Sequence, residues 1–581
     1  MQQVDFSTLT AAVRELQPQW LPSRVENVYQ RDKFTLSLGL RTLDKRGWIT
    51  LSWHPQAARI VLAEPPPRIA DTFTLSQQLR SVLGGLAMIE MTMTSPWERM
   101  VQLKFARRPG EEPLYYLYLE VIGKYSNLTL TDADNLIITT AHQVSNKQSS
   151  VRTIETGRPY EAPPTQTEPM PNIEEPIDRW IDRVSLIPDK LNRRLVKSYR
   201  GLSTVLMNGL ITTTGLDPNQ STETLSPADW EKLFTGWQIW LKTLAQADGY
   251  QLQPGLTDGG YSIMGWESQT SVDSVNQLLQ VYYDRILDRE EFDRLKHQLT
   301  QKLIAILAKL RVKANTFTNR LQESTGADEY RAHADLLMAH LHLWTPGLKS
   351  IVLNDFETEL PITIRLEPEK NAIQNAQFLY KRHQKLKRAK LAVLPLLNAV
   401  QAEIDYLEQV EASILQTQDS PVNDLREMVQ ALLETKEELI NTGYLATPDR
   451  TSKVELAETK PHSFKTPSGF ELLIGRNNRQ NDRITSKLAT DYDLWFHAQE
   501  IAGSHGLLRL PPGGVAETAD LQFTANTVAY YSRARQSQAV AVVYTAPKNV
   551  YKPKGAKPGM VIYKHEQIIW GYPGKVMSYE L

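Results

Sequence analysis

The chain has 581 residues, 41% of them hydrophobic and 23% charged, with a formal net charge of −1. That length exceeds one core and predicts about three to four domains, while the ordinary composition excludes a largely disordered chain. Cysteine is absent, which excludes disulfides, thiolate metal sites and a cysteine nucleophile.

The first residues, MQQVDFSTLTAAVRELQ, show no basic region followed by an apolar run, so no secretory signal is expected. No apolar run approaches the ~20 residues that span a bilayer. A cytoplasmic protein without a membrane partner is expected. The near-zero net charge hides local imbalance. Arg294 to Gln322 holds seven Lys/Arg and no acid, and Lys381 to Lys390 holds six Lys/Arg in ten residues. Arg533 to Lys575 holds eight Lys/Arg against one acid, Glu566. One such run is ordinarily a solvated helix face. Three of them favour a polyanionic partner.

In chain order, residues 1 to 172 carry the strand-like runs FTLSLGL, GWITLSW, RIVLAE, MVQLKFA, LYYLYLEVI and NLTLTD, which predict a β-rich α+β domain. The proline-rich stretch Arg158 to Pro176 predicts a linker. Residues 177 to 265 predict a domain of short helices, with Gly201 and Gly209 as helix boundaries and Ser226-Pro227 as a helix start. Residues 271 to 440 predict a coiled coil. Its first helix ends near Thr325, with Leu299, Leu303, Ile306, Leu310, Phe317 and Leu321 as its seam. Its second runs from about Pro368 to Thr435, with Leu386, Ala389, Val393, Leu396, Val400, Ile404, Leu407, Val410 and Ile414 as its seam. Pro395 is expected to kink it. At ~1.5 Å per residue these helices predict an antiparallel arm, and residues 325 to 368 a small tip unit with strands. Thr442 to Ser463 predicts a polar linker. Residues 453 to 581 predict an α/β domain, with FELLIG, LLRL, AVAVVYT and GMVIY as strands and Thr518 to Arg535 as a helix.

No Walker-type phosphate loop, dinucleotide fingerprint or Gly-x-Ser-x-Gly motif occurs. His333, His340 and His342 lack the spacing of a metal site and are expected in surface or packing roles. No metal, cofactor or catalytic residue is assigned. Asp491 to Leu510, DYDLWFHAQEIAGSHGLLRL, places a serine near two histidines. Neighbours in an extended segment point to opposite faces, so His505 does not readily serve as the base for Ser504, although His497 could approach it through the fold. Gly503 and Gly506 predict a turn with exposed backbone N–H groups, suited to a phosphate. RNA contact is preferred here over packing, and both over nucleophilic catalysis.

Ile474 to Leu510 and Ala529 to Tyr563 closely resemble the RNA-binding domain of the NFACT family. Leu79 to Met91, Trp97 to Phe105 and Leu119 to Asp132 resemble its amino-terminal domain, and Tyr330 to Leu341 and Asn375 to Ala389 its middle coiled-coil region. The resemblance spans nearly the whole chain. It implies a formamidopyrimidine-glycosylase-like amino-terminal fold, a helix-hairpin-helix-like domain, the coiled-coil arm and a carboxy-terminal NFACT-R domain. The glycosylase chemistry does not follow, because Gln2 stands where those enzymes use a proline and their cysteine zinc finger is impossible here.

The family includes bacterial ribosome quality-control factors of the RqcH type, some members being called fibronectin-binding proteins. The resemblance implies binding to a large ribosomal subunit (rRNA) that still holds a stalled peptidyl-tRNA, as a monomer. It also implies recruitment of tRNA, chiefly alanyl-tRNA, for carboxy-terminal tailing without mRNA, with peptide-bond chemistry left to the ribosome. The family's tRNA-contacting Asp-Arg pair falls on Glu98-Arg99, where the acid is one methylene longer. Lys124, Tyr125 and Asn127 are candidate companions, although a structural strand turn explains that loop equally well. His497, Ser504, His505, Arg509, Lys548, Lys552, Lys554 and Lys557 are the candidate RNA contacts of the carboxy-terminal domain. A fibronectin-binding adhesin and a nucleic-acid repair enzyme are the competing expectations.

Overall fold

The computed structural model describes all residues except 67–70, 150, 247–251, 418–424, 447–458 and 579–581. The chain forms two compact units, Met1–Leu287 and Asp288–Leu581. Among the described residues no helix is long and apolar enough to cross a membrane.

The first unit opens with α1 (Phe6–Trp20), whose Asp5 side chain accepts a hydrogen bond from Thr8 N at 2.9 Å. That caps one of the orphan N–H groups at the helix start. Leu9, Ala12, Val13, Leu16 and Trp20 recur at helical spacing and are buried. Strands β1 (Ser23–Asp32), β2 (Thr35–Arg41), β3 (Arg46–Ser52) and β4 (Arg59–Ala63) follow. Then come α2 (Thr74–Leu83), β5 (Ala87–Met93), β6 (Met100–Ala106), β7 (Tyr115–Glu120), β8 (Asn127–Asp132) and β9 (Ile137–Thr140). They make one sheet in the order β4-β3-β2-β1-β5-β6-β7-β8-β9, with every neighbour antiparallel. All six strand-like runs of the sequence lie in it.

Helices α3 (Ile177–Ser185), α4 (Leu191–Ser198), α5 (Thr204–Thr213) and α6 (Pro227–Ala245) share a second core. Ser226 and Asp229 form a full capping box for α6, and Trp230, Leu233, Trp237, Trp240 and Leu244 give it one buried face. Gly201 separates α4 from α5 as expected. Gly209 does not end a helix; it lies inside α5, where a Cβ would stand 3.1 Å from the Trp266 ring. Close packing, not chain termination, accounts for that glycine. Strands β10 (Gly255–Thr257), β11 (Gly260–Ser262) and β12 (Thr270–Ser271) form a small sheet. Gln2 exchanges two hydrogen bonds with the Tyr261 backbone and is also held by the hydroxyls of Tyr282 and Tyr283.

The expected linker from Arg158 to Pro176 is corrected by its contacts. The Tyr160 ring stacks on Tyr118 at 4.2 Å, Gly201 N donates to Gln166 Oε1 at 3.2 Å, and Arg200 N donates to the Pro169 carbonyl at 3.1 Å. Glu175 accepts from Tyr199 Oη at 2.6 Å and from Arg183. Side-chain and backbone bonds hold this segment along the unit.

Helix α7 (Val275–Thr325) runs for 51 residues. In the second unit come α8 (Ala327–Ala339), the hairpin β13 (Ser350–Asn354) and β14 (Pro361–Arg365), α9 (Ala372–Gln416) and α10 (Leu425–Asn441). Arg311 on α7 reaches Glu408 on α9 at 2.6 Å, and His383 on α9 meets the carbonyl of Ala327, two residues past the end of α7, at 2.8 Å. Positions rise on one side as they fall on the other, so α7 and α9 run antiparallel.

The seam between them centres on Phe292, Leu295, Leu299, Leu303 and Leu307 with Val400, Ile404, Leu407, Val410 and Ile414. Leu396, expected in that seam, is exposed, and its neighbour Leu397 packs on the core instead. The expected second helix is also corrected. It passes through Pro395 but ends at Gln416, and a separate α10 lays Met428, Leu432 and Leu439 on the same core. A further apolar face competing for one seam requires the chain to double back, which a single helix cannot do.

The last part holds β15 (His462–Lys465), β16 (Glu471–Ile474), α11 (Asn478–Arg483), β17 (Leu494–Ala498), β18 (Gly506–Arg509) and α12 (Thr518–Tyr530). It continues with β19 (Val540–Thr545), β20 (Val550–Tyr551), β21 (Ile562–Tyr563) and β22 (Gln567–Gly571). The six-stranded sheet has the order β15-β16-β18-β17-β19-β22, and β20 pairs with β21 as a separate ribbon. Phe523, Ala525, Val528 and Ala529 of α12 pack on one face of the larger sheet. The expected linker Thr442 to Ser463 falls largely on residues outside the described set.

Candidate nucleic-acid interface

In the first unit, a cleft of about 870 Å³ is lined by all five residues expected to contact tRNA: Glu98, Arg99, Lys124, Tyr125 and Asn127. Glu98 and Arg99 come from the β5–β6 connection. Thr94 N donates to the Met100 carbonyl at 3.1 Å, and Glu98 N to the Ser95 carbonyl at 3.3 Å, closing a tight turn. Trp97 sits there at φ 65°, left-handed backbone that costs a bulky residue of order 1–3 kcal/mol. Packing holds it: the Trp97 ring lies 4.6 Å from Phe6 and 5.7 Å from Trp240. Gly201, itself at φ 79°, lets the chains approach, for a Cβ there would stand 2.8 Å from the Trp97 carbonyl oxygen.

Glu98 Oε1 is buried without a hydrogen-bond partner. A buried carboxylate oxygen without a donor is an unmet demand that a ligand N–H can satisfy. Arg99 spends one N–H on the Val4 carbonyl at a long 3.4 Å. Lys124 and Tyr125 sit on a turn opened by Gly123 at φ 57°, with Tyr125 68% exposed and the Lys124 ammonium 5.0 Å from its ring.

Asn127 is corrected from contact to clip. It is 2% exposed, its amide donates to the His142 carbonyl at 2.8 Å, and its carbonyl oxygen accepts from His142 N at 2.9 Å. Its polar atoms are engaged in joining β8 to the chain after β9.

The sequence reading missed Arg152. It lines the cleft and pairs through both Nη atoms with Glu120, a buried acid that also accepts from Tyr160 Oη at 2.7 Å. Burial first, then Glu120, pushes the Tyr160 hydroxyl pKa far up, so it stays a donor. Lys33, Phe34, His142 and Pro163 also line the cleft. No local motif links positions 120, 152 and 160, and the proline-rich composition around the third pointed to a linker rather than to the cleft.

In the second unit, the stretch around Ser504 is an interior structure. Trp495 and Phe496 are both fully buried, because β17 is covered on both faces. Ser504 and His505 are 3% and 1% exposed. Ser504 N donates to the Tyr531 carbonyl at 2.9 Å, and His505 N to Asn481 Oδ1 at 3.0 Å. The expected exposed N–H turn is therefore absent, since these groups are consumed by neighbouring chain. His505 Nδ1 lies 2.7 Å from Thr485 Oγ1, which also accepts from Trp495 Nε1 at 3.1 Å. Both residues are corrected from surface contacts to interior ones.

His497 places its ring 5.3 Å from that of His505, and its Nε2 is buried without a partner. Burial lowers the His497 pKa to about 4, and burial followed by His497 lowers that of His505 well below its usual value. Both rings are neutral at pH 7. Arg509 alone of this group is exposed, 3.7 Å from Glu471 across the strand pair.

Lys548, Lys552 and Lys554 are exposed. Lys552 pairs with Asp482, which also accepts from Gly559 N at 3.0 Å and so fastens the lysine-rich loop. Lys557 is half-buried, its ammonium 4.9 Å from the Tyr444 ring and 5.8 Å from that of Tyr406. Among the described residues, no group of three or more His, Cys, Asp or Glu stands together to hold a metal.

Comparison with known proteins matches residues 5–457 to the NFACT N-terminal and middle domains, and residues 460–565 to the NFACT protein RNA binding domain. The chain belongs to the NFACT family. The Rqc2 homolog RqcH of Bacillus subtilis (strain 168) is 27% identical over 585 aligned residues, covering 96% of each chain. The Rqc2 homolog RqcH of Streptococcus suis (strain 05ZYH33) is 27% identical, covering 94% of each. Among solved structures, the C-terminal part of the fibronectin/fibrinogen-binding protein from Streptococcus suis is 28% identical with a TM-score of 0.38, covering 50% of this chain and 99% of that one. The N-terminal part of the same protein is 22% identical with a TM-score of 0.39, covering 49% and 100%. The match to the NFACT N-terminal and middle domains contains the long helix α7, and the match to the NFACT RNA-binding domain contains the sheet that buries Trp495 and His505.

Proposed function

We propose that the protein is a ribosome quality-control factor. It binds large ribosomal subunits that retain peptidyl-tRNA and recruits tRNA, alanyl-tRNA foremost, for tailing of the nascent chain without mRNA. The tail marks that chain for degradation. Peptide-bond chemistry belongs to the ribosome, so the protein acts in the cytoplasm as a monomeric binding factor without a catalytic centre or cofactor. In this reading the glycosylase-like amino-terminal region and the helix-hairpin-helix-like helices hold tRNA. The antiparallel arm with its tip extends the reach, and the carboxy-terminal domain adds RNA contacts.

The observation that carries the reading is the cleft. The adjacent pairs Glu98-Arg99 and Lys124-Tyr125 line one concavity that also holds Lys33 and Arg152, from earlier and later in the chain, and leaves a carboxylate oxygen without a donor. A cationic wall with an exposed aromatic and a desolvated acceptor suits a nucleic-acid loop: cations for phosphate, the ring for a base face, the acid for a base N–H. The similarity to RqcH relatives along nearly the full chain supports the same partner class. The test is to purify the tagged protein from cells and sequence the RNA that comes with it. Large-subunit rRNA with an enriched tRNA is expected, and recovery of neither defeats the reading. Surface labelling of intact cells tests the adhesin alternative.

A further inference from the structure

We propose that the β20–β21 ribbon is a stacking platform for unpaired nucleobases of single-stranded RNA, with Tyr551 as the stacking ring. The proposal rests on the RNA-binding reading above and names the ligand class of one surface.

The ribbon has two faces of different character. Tyr551 and Ile562 are register partners, and each is 45% exposed. Val550 and Tyr563, the other partners, are half-buried, and the Tyr563 ring lies 5.6 Å from buried Trp495. The period-2 alternation of strands thus anchors one face on the domain and presents an aromatic and a branched aliphatic side chain to solvent on the other.

Lysines dominate the surroundings, with Glu566 and Glu500 acting on Tyr563 on the anchored face. From Lys548 to His565 there are five lysines and no acid. The Lys564 ammonium stands 5.6 Å from the Tyr551 ring centre, and Lys564 N donates to the Asn549 carbonyl at 3.1 Å, which fixes that lysine beside the ribbon. The acid bonded to this loop, Asp482, is engaged by Lys552 and Gly559 N.

An exposed ring among lysines matches a strand with a negative backbone and free base faces. Duplex RNA presents phosphate but hides its base faces in the stack, so it engages the lysines and not the ring. The predicted ligand is an unpaired segment, bound with little sequence preference because every base has a π-face.

The test uses the full chain with Tyr551→Ala and Tyr551→Phe. Affinity is measured for a short oligouridylate and for the same strand annealed to oligoadenylate. Tyr551→Ala is expected to weaken single-strand binding roughly 5- to 150-fold, with duplex affinity and salt dependence unchanged and Tyr551→Phe close to wild type. Single-strand affinity unchanged in Tyr551→Ala overturns the platform, as does an equal loss for strand and duplex. Both results leave the wider reading standing, which the co-purified RNA decides; a wild-type chain that does not bind the single-stranded probe also overturns the platform. Should Tyr551→Ala fail to fold, oligouridylate carrying 4-thiouridine is crosslinked to the wild-type protein. A crosslink at Tyr551 is expected, and crosslinks confined to other segments overturn the proposal.

Discussion

The cleft of the first unit and the lysine-rich surface of the second assemble cations in opposite ways. In the cleft, Arg152 is locked by buried Glu120, Glu98 keeps a buried oxygen unpaired, and a left-handed Trp97 sets the direction of both Glu98 and Arg99. In the second unit, Lys548 and Lys554 stand in solvent on a loop fastened by Asp482. Fixed, desolvated groups discriminate between ligands, because a mismatched partner leaves them unsatisfied. Exposed lysines attract any phosphate backbone and discriminate little. On the proposed function, the first unit would be the one that selects and the second the one that holds.

The largest way to separate the two units is acid. The histidines with strongly depressed pKa values, His462 at about 3, His497 at about 4 and His505, all lie in the second unit, and burial is the main cause for each. Below the unfolded pKa near 6.5, the unfolded chain binds protons that the folded one refuses. Stability falls with pH from there down to the folded values, by up to ~1.4 kcal/mol per pH unit for each histidine. Buried Glu438, whose pKa is raised chiefly by burial, opposes this in part. Hydrogen exchange at pH 7 and pH 5 is expected to show residues 460–571 losing protection before residues 23–140. Equal loss in both would remove the contrast.

Next in size is Arg99→Ala. Charge-assisted hydrogen bonds are worth about 1.5–3 kcal/mol, so tRNA affinity is expected to drop roughly 10- to 150-fold while large-subunit binding is retained. Equal tRNA recovery by mutant and wild type in a filter-binding assay contradicts the cleft assignment. Gly201→Ala follows, at about 1–3 kcal/mol of lost stability, since a Cβ would press on the Trp97 carbonyl oxygen. A thermal melt reads the loss, and tRNA affinity should fall with it because the same turn carries Glu98 and Arg99.

The smallest effects belong to the lysines. Replacing Lys548 or Lys554 by Gln should flatten the salt dependence of RNA binding by up to ~0.7–0.9 log units each. Lys557→Gln should change it less, because that ammonium already sits over Tyr444 and Tyr406. A larger effect from Lys557 than from Lys548 reverses the expected order.

Much of this architecture was legible from local pattern. Period-2 runs marked β2, β3, β4, β6, β7 and β8, the Ser226-Pro227 capping signature marked the start of α6, and the 3–4 spacing marked α7 and α9, because caps and periodicity are carried by short-range spacing. Strand β1, SRVENVYQRD, was missed because its polar residues conceal a pattern with Val25, Val28 and Gln30 buried. Strand β5, AMIEMTM, is short on the branched residues that signal strands. The carboxy-terminal site was misjudged for a related reason. Gly503, Ser504 and His505 form a composition that suits a surface turn, but exposure depends on α12 and the Asn481 side chain arriving from elsewhere in the chain.

The sequence by itself determined the absence of thiol chemistry, the basic runs, the long helices, most strands and the resemblance that names the family. Those properties are carried by residue identity and short-range spacing. The tertiary structure alone decided that the proline-rich segment is a wall, that Arg152 joins Glu98 and Arg99 in one cleft, that Asn127 and His505 serve the interior, and that Tyr551 faces solvent. Each depends on which distant segment covers which side chain, and burial is a property of the packed chain that no local window contains.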